Sequence, residues 1–151
     1  MLEQQQLIEQ PLARYWSLFF YLSSASMIMV IAVASCTSTE TFHEIYNFIA
    51  GFLSLDKVTS SLRSSPGWGH FICYTLLSFS LAGVFSRRNI FVAPVLAVLF
   101  GVLMEFVQSF IPSRDASLMD IGINFLGVVL GFGVYRLWVT YVRTTGKSHL
   151  A

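Results

Sequence analysis

Charged side chains are scarce in this chain of 151 residues. Asp, Glu, Lys and Arg together make up 11% of it, against about 25% in soluble domains. A small soluble domain has much surface to cover, so this deficit argues against one. Hydrophobic residues reach 55% and the mean hydropathy is +0.67. The composition therefore predicts a membrane protein, and the length predicts a single domain over residues 1–151.

A basic surface and a cysteine framework are also missing. The net charge is +1 and the basic residues are scattered, so we expect no nucleic acid as a partner. The two cysteines, Cys36 and Cys73, lack the spacing of metal ligands, and lone cysteines in apolar helices usually pack. A disulfide between them is the alternative if both face an oxidising side. The sequence shows no phosphate-binding loop, metal-binding constellation or nucleophile triad, so we expect no metal and no cofactor.

Four apolar segments are long enough to cross a bilayer, for which a helix needs about 20 residues. These spans cover about 16–34, 68–85, 90–111 and 118–138. Short connections join the last three spans, which makes them antiparallel neighbours. The sequence therefore predicts an all-α membrane protein, a bundle of four transmembrane helices.

The long first loop contains a further helical pattern at about 40–54. Its apolar residues recur at helical spacing, with polar residues on the opposite face. The apolar members are Phe42, Ile45, Tyr46, Ile49, Phe52 and Leu53. We interpret this segment as an amphipathic helix in the outer membrane interface. The alternative is a loop helix that packs over the bundle without contacting lipid.

The Lys and Arg distribution predicts the orientation, because cytoplasmic loops are enriched in these residues. Four spans place both termini and the second loop on one side. That side holds Arg14, Arg87, Arg88, Arg136, Arg143 and Lys147. The other side holds only Lys57, Arg63 and Arg114. We therefore expect both termini in the cytoplasm, and the first and third loops outside.

Polar residues inside the spans repeat at helical spacing, which places them on one face of each helix. They are His70, Tyr74 and Ser78 on span two, Gly101, Glu105, Gln108 and Pro112 on span three, and Asp120, Asn124, Gly127 and Gly131 on span four. Glu105 lies about 9 Å from the outer end of its span, and His70 and Asp120 lie within a turn of theirs. Charged residues in a bilayer are costly, so they are functional candidates by default.

These stripes predict one outward-facing cavity. Its expected members are His70, Glu105, Gln108, Arg114, Asp120 and Asn124, and Tyr74 is a further candidate substrate-binding residue. Glu105 and His70 are the candidate catalytic acid or base, and Arg114 would hold an anionic group. The others would bind the substrate.

Structural roles are the alternative for the same residues. Glu105 would then pair with Arg114, and Asp120 would cap span four. The pattern Gly127-x-x-x-Gly131 predicts close helix packing. We expect its partner to be span three, with a dimer contact as the alternative.

The polar pattern resembles that of the VanZ-like family of small bacterial membrane proteins. The matching residues are Glu105, Gln108, Pro112, Arg114, Ser117, Asp120, Asn124, Gly127 and Gly131, with His70 and Tyr74 upstream. One departure is that Pro66-Gly67 stands where the family usually has Asp-Lys; Asp56-Lys57 lies too far upstream to replace it. The resemblance implies a cell-envelope protein of the bacterial cytoplasmic (inner) membrane. It also implies a link to resistance against the glycopeptide teicoplanin, without implying a particular reaction.

Two functions from different classes follow. The first is binding or processing of an anionic membrane lipid or a lipid-linked saccharide. The second is a non-catalytic assembly subunit that meets a membrane protein partner or forms a homodimer. A proton-coupled transporter is disfavoured, because the inner halves of spans two to four are nearly all apolar.

The N-terminal segment also resembles a bacterial lipoprotein signal, in which cleavage would precede Cys36 and the cysteine would be lipidated. Its apolar run of 19 residues is longer than the roughly 7–15 of a signal core. The preceding region is not basic, since Arg14 is offset by Glu3 and Glu9. We therefore expect an intact N-terminus and an unmodified Cys36 in intact-mass spectrometry. A lipidated product that begins at Cys36 would contradict this prediction.

Overall fold

The computed structural model describes residues 2–38, 40–41, 44, 47–48, 51, 67–86, 89–111 and 117–148. These residues are mainly helical and include no strand. The main helices are α1 (Leu2–Cys36), α2 (Gly67–Phe85), α3 (Val92–Gln108) and α4 (Leu118–Ser148). The prediction of an all-α membrane bundle is confirmed.

Three of these helices contain segments long and apolar enough to cross a membrane: Arg14–Cys36, Gly67–Phe85 and Leu118–Thr145. Helix α3 has 17 residues, which corresponds to about 26 Å, slightly less than the hydrocarbon thickness of about 30 Å. Backbone hydrogen bonds continue beyond both of its ends. The Val92 N–H donates to the Asn89 carbonyl, and the Ile111 N–H donates to the Gln108 carbonyl. These turns lengthen α3 toward the predicted span of 90–111.

The first and last helices are longer than their predicted spans, since α1 begins at Leu2 and α4 continues to Ser148. Most of the predicted interfacial helix at 40–54 lies outside the described residues. Its described members are Glu40, Thr41, Glu44, Asn47, Phe48 and Gly51, all of them helical and exposed. The basic residues Lys57, Arg63, Arg87, Arg88 and Arg114 also lie outside the described part of the chain.

Helix α4 packs closely on α2 through two glycines. A Cβ atom on Gly127 would meet the backbone of Phe71, and one on Gly131 would meet the backbone of Thr75. The two helices run in the same direction, and Ser78 Oγ donates to the Val128 carbonyl at 2.8 Å. Close backbone approach of this kind requires residues without side chains.

The prediction that this glycine pair packs against span three is wrong. One narrow stripe of small residues can contact only one neighbouring helix, and here that neighbour is span two. Gly127 and Gly131 are buried inside the protomer, so they are not a dimer contact. Helix α3 has buried small residues of its own, Ala97 and Gly101, and Gly101 lies against Tyr74 and Asn124.

One contact of helix α1 with the bundle lies at the end opposite to the start of α2. Phe20 is 5% exposed and its ring centroid lies 5.9–6.2 Å from those of Phe79, Tyr135 and Trp138. Ser23 Oγ and Ser80 Oγ lie 2.8 Å apart in a hydrogen bond. This aromatic cluster of Phe20, Phe79, Tyr135 and Trp138 holds α1 against α2 and α4.

The glycine contact predicts opposite effects for two alanine substitutions on α4. Alanine favours a helix over glycine by about 1 kcal/mol, and nothing lies within 4 Å of a Cβ on Gly133. We therefore expect Gly133→Ala to be neutral or stabilising. Gly131→Ala must push α4 away from α2, and such overpacking typically costs about 1–3 kcal/mol. Thermal unfolding of both variants in detergent checks this, and equal effects would contradict the packing described.

Candidate functional site

Four polar side chains meet at the end of the bundle where α2 and α4 begin and α3 ends. We call His70, Glu105, Asp120 and Asn124 the polar cluster. His70 Nδ1 lies 3.2 Å from Asn124 Oδ1 and 3.9 Å from Glu105 Oε1. One nitrogen or oxygen atom each of His70, Glu105 and Asp120 lie within 4.8 Å of one another. Three helices therefore contribute to a single site, as the stripes predicted.

Burial increases from the bundle end inward. The side chain of His70 is 24% exposed, and Asp120 is partly buried. Glu105 and Asn124 are each 3% exposed. Solvent can therefore reach the polar cluster at His70 and Asp120, whereas the bundle encloses Glu105 and Asn124.

The small residues of α3 explain why Glu105 is buried. The buried face of this helix contains Ala93, Ala97, Gly101, Met104, Glu105 and Gln108. A Cβ on Gly101 would lie 3.2 Å from Cε1 of Tyr74 and 3.6 Å from Cβ of Asn124. The absence of a side chain at Gly101 lets α3 approach both neighbours, and Glu105, one turn later, follows onto the same face.

Glu105 also holds the first turn of α4. The Ser117 N–H donates to Glu105 Oε2 at 3.2 Å. Ser117 Oγ in turn accepts the Met119 N–H at 3.2 Å, and the Ser117 carbonyl accepts the N–H groups of Asp120 and Ile121. This is the geometry of a helix N-cap.

The N-cap of α4 is therefore Ser117, and the alternative that Asp120 caps this helix is wrong. In a capping box, the third residue of the helix accepts the N–H of the cap residue. Here Asp120 holds that third position, but Glu105 accepts the Ser117 N–H instead. The carboxylate of Asp120 lies near His70 and Glu105.

Three predicted site residues lie outside the polar cluster as defined above. Tyr74 is 1% exposed and lies against Gly101, on the inner side of the polar cluster. Gln108 is buried on α3, one turn beyond Glu105 toward the bundle end. Arg114 lies outside the described residues, so its expected place in the site stays a prediction.

Two buried polar atoms next to the polar cluster make no hydrogen bond within the described part of the chain. They are the Tyr74 hydroxyl and Asn124 Nδ2. More than about 90% of buried polar groups in native proteins have a partner. These two atoms are therefore available to a bound ligand or an ordered water.

The sequence stripes did not reveal a cation site, because its ligands lie on three helices and have no local spacing. The structure brings an imidazole nitrogen and two carboxylate oxygens together. Such a group can hold a cation, or it can transfer a proton between Glu105 and His70.

Comparison with known families assigns the chain to one of them. The family model VanZ/LLP1 matches residues 12–139, a range that contains the whole polar cluster. The chain belongs to the VanZ/LLP1 family. No curated protein matches the chain significantly, and neither does any solved structure.

The VanZ-like resemblance read from the polar pattern is thus confirmed. In this VanZ/LLP1 member the family model matches more of the chain than the sequence resemblance did. The residues that carried the resemblance all belong to spans two to four and the loop before span four. The match to the family model begins at residue 12 and so includes the membrane-crossing part of α1. The packing of Phe20 into the aromatic cluster agrees with α1 being part of the family fold.

The cap of α4 provides a test of how the polar cluster is held. Ser117→Ala removes the hydroxyl that accepts the Met119 N–H, which should destabilise the protein by about 0.5–2 kcal/mol. The matched control is Ser109→Ala, because the Ser109 hydroxyl is exposed and donates to the Phe106 carbonyl of its own helix. Thermal unfolding in detergent should show a lower midpoint for Ser117→Ala alone. Equal midpoints for the two variants would contradict the assignment of Ser117 as the cap.

Proposed function

We propose that this VanZ-like membrane protein binds, and in its active form processes, an anionic envelope lipid or lipid-linked saccharide at the polar cluster. The observation that carries the proposal is the convergence of His70, Glu105 and Asp120 from three helices at one end of the bundle. Charged residues placed in a membrane-spanning bundle usually line a substrate path or site. A polar group entering from the bundle end would meet His70 and Asp120 first.

The exposed apolar side chains of α3 support the proposal that the ligand is a lipid that reaches the polar cluster from the membrane. Leu99, Val102 and Phe106 on α3 are 60%, 44% and 61% exposed, and the buried carboxylate of Glu105 lies on the opposite face of the same helix. A lipid chain could lie along such an apolar surface while its headgroup reaches the polar cluster. In the predicted orientation the polar cluster faces outward from the cytoplasmic membrane.

Each residue has a distinct role in this proposal. Arg114 holds the anionic headgroup through paired hydrogen bonds. Glu105 and His70, whose Oε1 and Nδ1 atoms lie 3.9 Å apart, accept and donate a proton if the ligand is processed. Gln108, Asn124 and Tyr74 bind hydroxyl and carbonyl groups of the ligand. A connection to glycopeptide resistance is part of the same proposal and comes from the family alone.

A second candidate function is supported by one contact. Because Glu105 Oε2 accepts the Ser117 N–H, this carboxylate stabilises the start of α4 regardless of any ligand. The protein would then be a non-catalytic assembly subunit whose polar cluster holds the bundle together. Its membrane protein partner would bind elsewhere on the chain.

Two substitutions at one position separate these functions. The amide oxygen of Glu105→Gln can still accept the Ser117 N–H, whereas Glu105→Ala removes this acceptor. The lipid proposal predicts normal membrane abundance of Glu105→Gln on an immunoblot. It also predicts more co-purified lipid by mass spectrometry, because a neutral amide does not repel an anionic headgroup and cannot transfer the proton that processing requires.

The assembly function predicts a different pattern. Glu105→Gln would then keep both its abundance and its lipid content, and only Glu105→Ala would lose abundance. Lipid content that is identical in the wild type and in Glu105→Gln would therefore refute the lipid proposal.

A further inference from the structure

The polar cluster has the donor atoms and the spacing of a metal site. We propose that His70, Glu105 and Asp120, completed by Asn124, bind one divalent transition-metal ion. The donors would be one imidazole nitrogen, two carboxylate oxygens and one amide oxygen. This site goes beyond the lipid proposal and does not depend on it.

The distances agree with a shared ion. Metal–ligand bonds of about 2.0–2.2 Å place two ligand atoms about 3.0 Å apart at right angles and about 3.4 Å apart in a tetrahedron. His70 Nδ1 lies 3.2 Å from Asn124 Oδ1 and 3.9 Å from Glu105 Oε1. The potential ligand atoms of His70, Glu105 and Asp120 all lie within 4.8 Å of one another. Closing a separation of 4.8 Å to the tetrahedral value takes about 1.4 Å, which small movements of the partly exposed His70 and Asp120 side chains can supply together.

The orientation of the His70 ring supports the same assignment. Its Nδ1 atom faces Asn124 Oδ1 and Glu105 Oε1, which are both acceptor oxygens. When Nδ1 carries no proton, these separations leave room for one cation at a centre shared by Nδ1 and the two oxygens. A cation at that centre satisfies all three atoms at once, which no single hydrogen bond can do.

Two buried atoms provide an independent indication of a ligand. Asn124 is 3% exposed and Tyr74 is 1% exposed, and neither Asn124 Nδ2 nor the Tyr74 hydroxyl has a hydrogen-bond partner among the described residues. Nδ2 belongs to the same amide group that reaches His70. Residues behind the ligands of a metal commonly donate to metal-bound water or to the ligands themselves. The Tyr74 hydroxyl and Asn124 Nδ2 are the donors available for that role.

Charge and donor type indicate the class of metal. Two carboxylates in a largely buried site repel each other, and a dication between them removes this repulsion. Carboxylate and carbonyl oxygens suit Mg²⁺, Ca²⁺ and Mn²⁺, whereas an imidazole ligand suits Zn²⁺ and other first-row transition metals. The mixed donor set of the polar cluster therefore predicts Zn²⁺ or Mn²⁺ in preference to Mg²⁺.

The test measures the metal alone on the full chain in detergent. The protein is stripped with a chelator, incubated separately with ZnCl₂, MnCl₂ or MgCl₂, desalted and analysed by mass spectrometry for metal content. We expect about one Zn²⁺ or Mn²⁺ per wild-type chain and no retained Mg²⁺. Asp120→Asn and His70→Ala should each bind at least roughly tenfold more weakly, since even loss of a supporting residue commonly costs that much.

Two controls keep the result interpretable. Glu40→Gln removes an exposed carboxylate of the first loop and should retain the metal. Thermal unfolding in chelator should show that Asp120→Asn is folded, and added Zn²⁺ should raise the midpoint of the wild type but not that of Asp120→Asn.

The proposal is overturned if the wild type retains no ion. It is also overturned if Asp120→Asn and His70→Ala both retain as much metal as the wild type, or if Mg²⁺ replaces Zn²⁺ and Mn²⁺. Because no lipid is measured, failure of the metal site leaves the lipid proposal to its own test.

Discussion

The close contact between α2 and α4 places the polar residues of both helices at one level. Gly127 and Gly131 let the backbone of α4 reach that of Phe71 and Thr75 on α2. Because the two helices run in the same direction, their first turns lie side by side at the same end of the bundle. His70 on α2 is thereby brought to hydrogen-bonding distance of Asn124 on α4. A wider separation between these helices would divide the polar cluster.

Helix α3 completes the site for a related reason. Ala97 and Gly101 on its buried face have little or no side chain, so α3 can approach α2 and α4 closely. Glu105 therefore lies between these two helices. The carboxylate then has two partners of different kinds, with Oε2 accepting the Ser117 N–H and Oε1 lying near His70. Glu105 therefore has a structural role in addition to its proposed chemical one, and the proposed role can be judged only through variants that preserve the Ser117 contact.

The two proposals are compatible in chemical terms. An acidic site does not attract an anionic headgroup by itself, since like charges repel. A divalent ion held by Glu105 and Asp120 would reverse the local charge, as bound cations often do in protein sites. In the lipid proposal such an ion would receive a phosphate oxygen of the headgroup, and Arg114 would supply the second positive group that the proposal assigns to it. The lipid and metal measurements address the two parts of this arrangement separately.

The sequence by itself determined the helices and the faces that carry polar residues. Apolar runs of membrane length have few alternatives to a helix, because backbone polar groups must be satisfied internally in lipid. The spacing of the polar and small residues from Glu105 to Gly131, with His70 and Tyr74 upstream, also predicted the family, which the family model confirms. Only the tertiary structure decided that the glycine pair meets α2, that Ser117 caps α4, and that His70 joins two carboxylates. These features depend on how each helix is rotated and spaced against its neighbours, and side-chain packing between segments distant in the chain determines that.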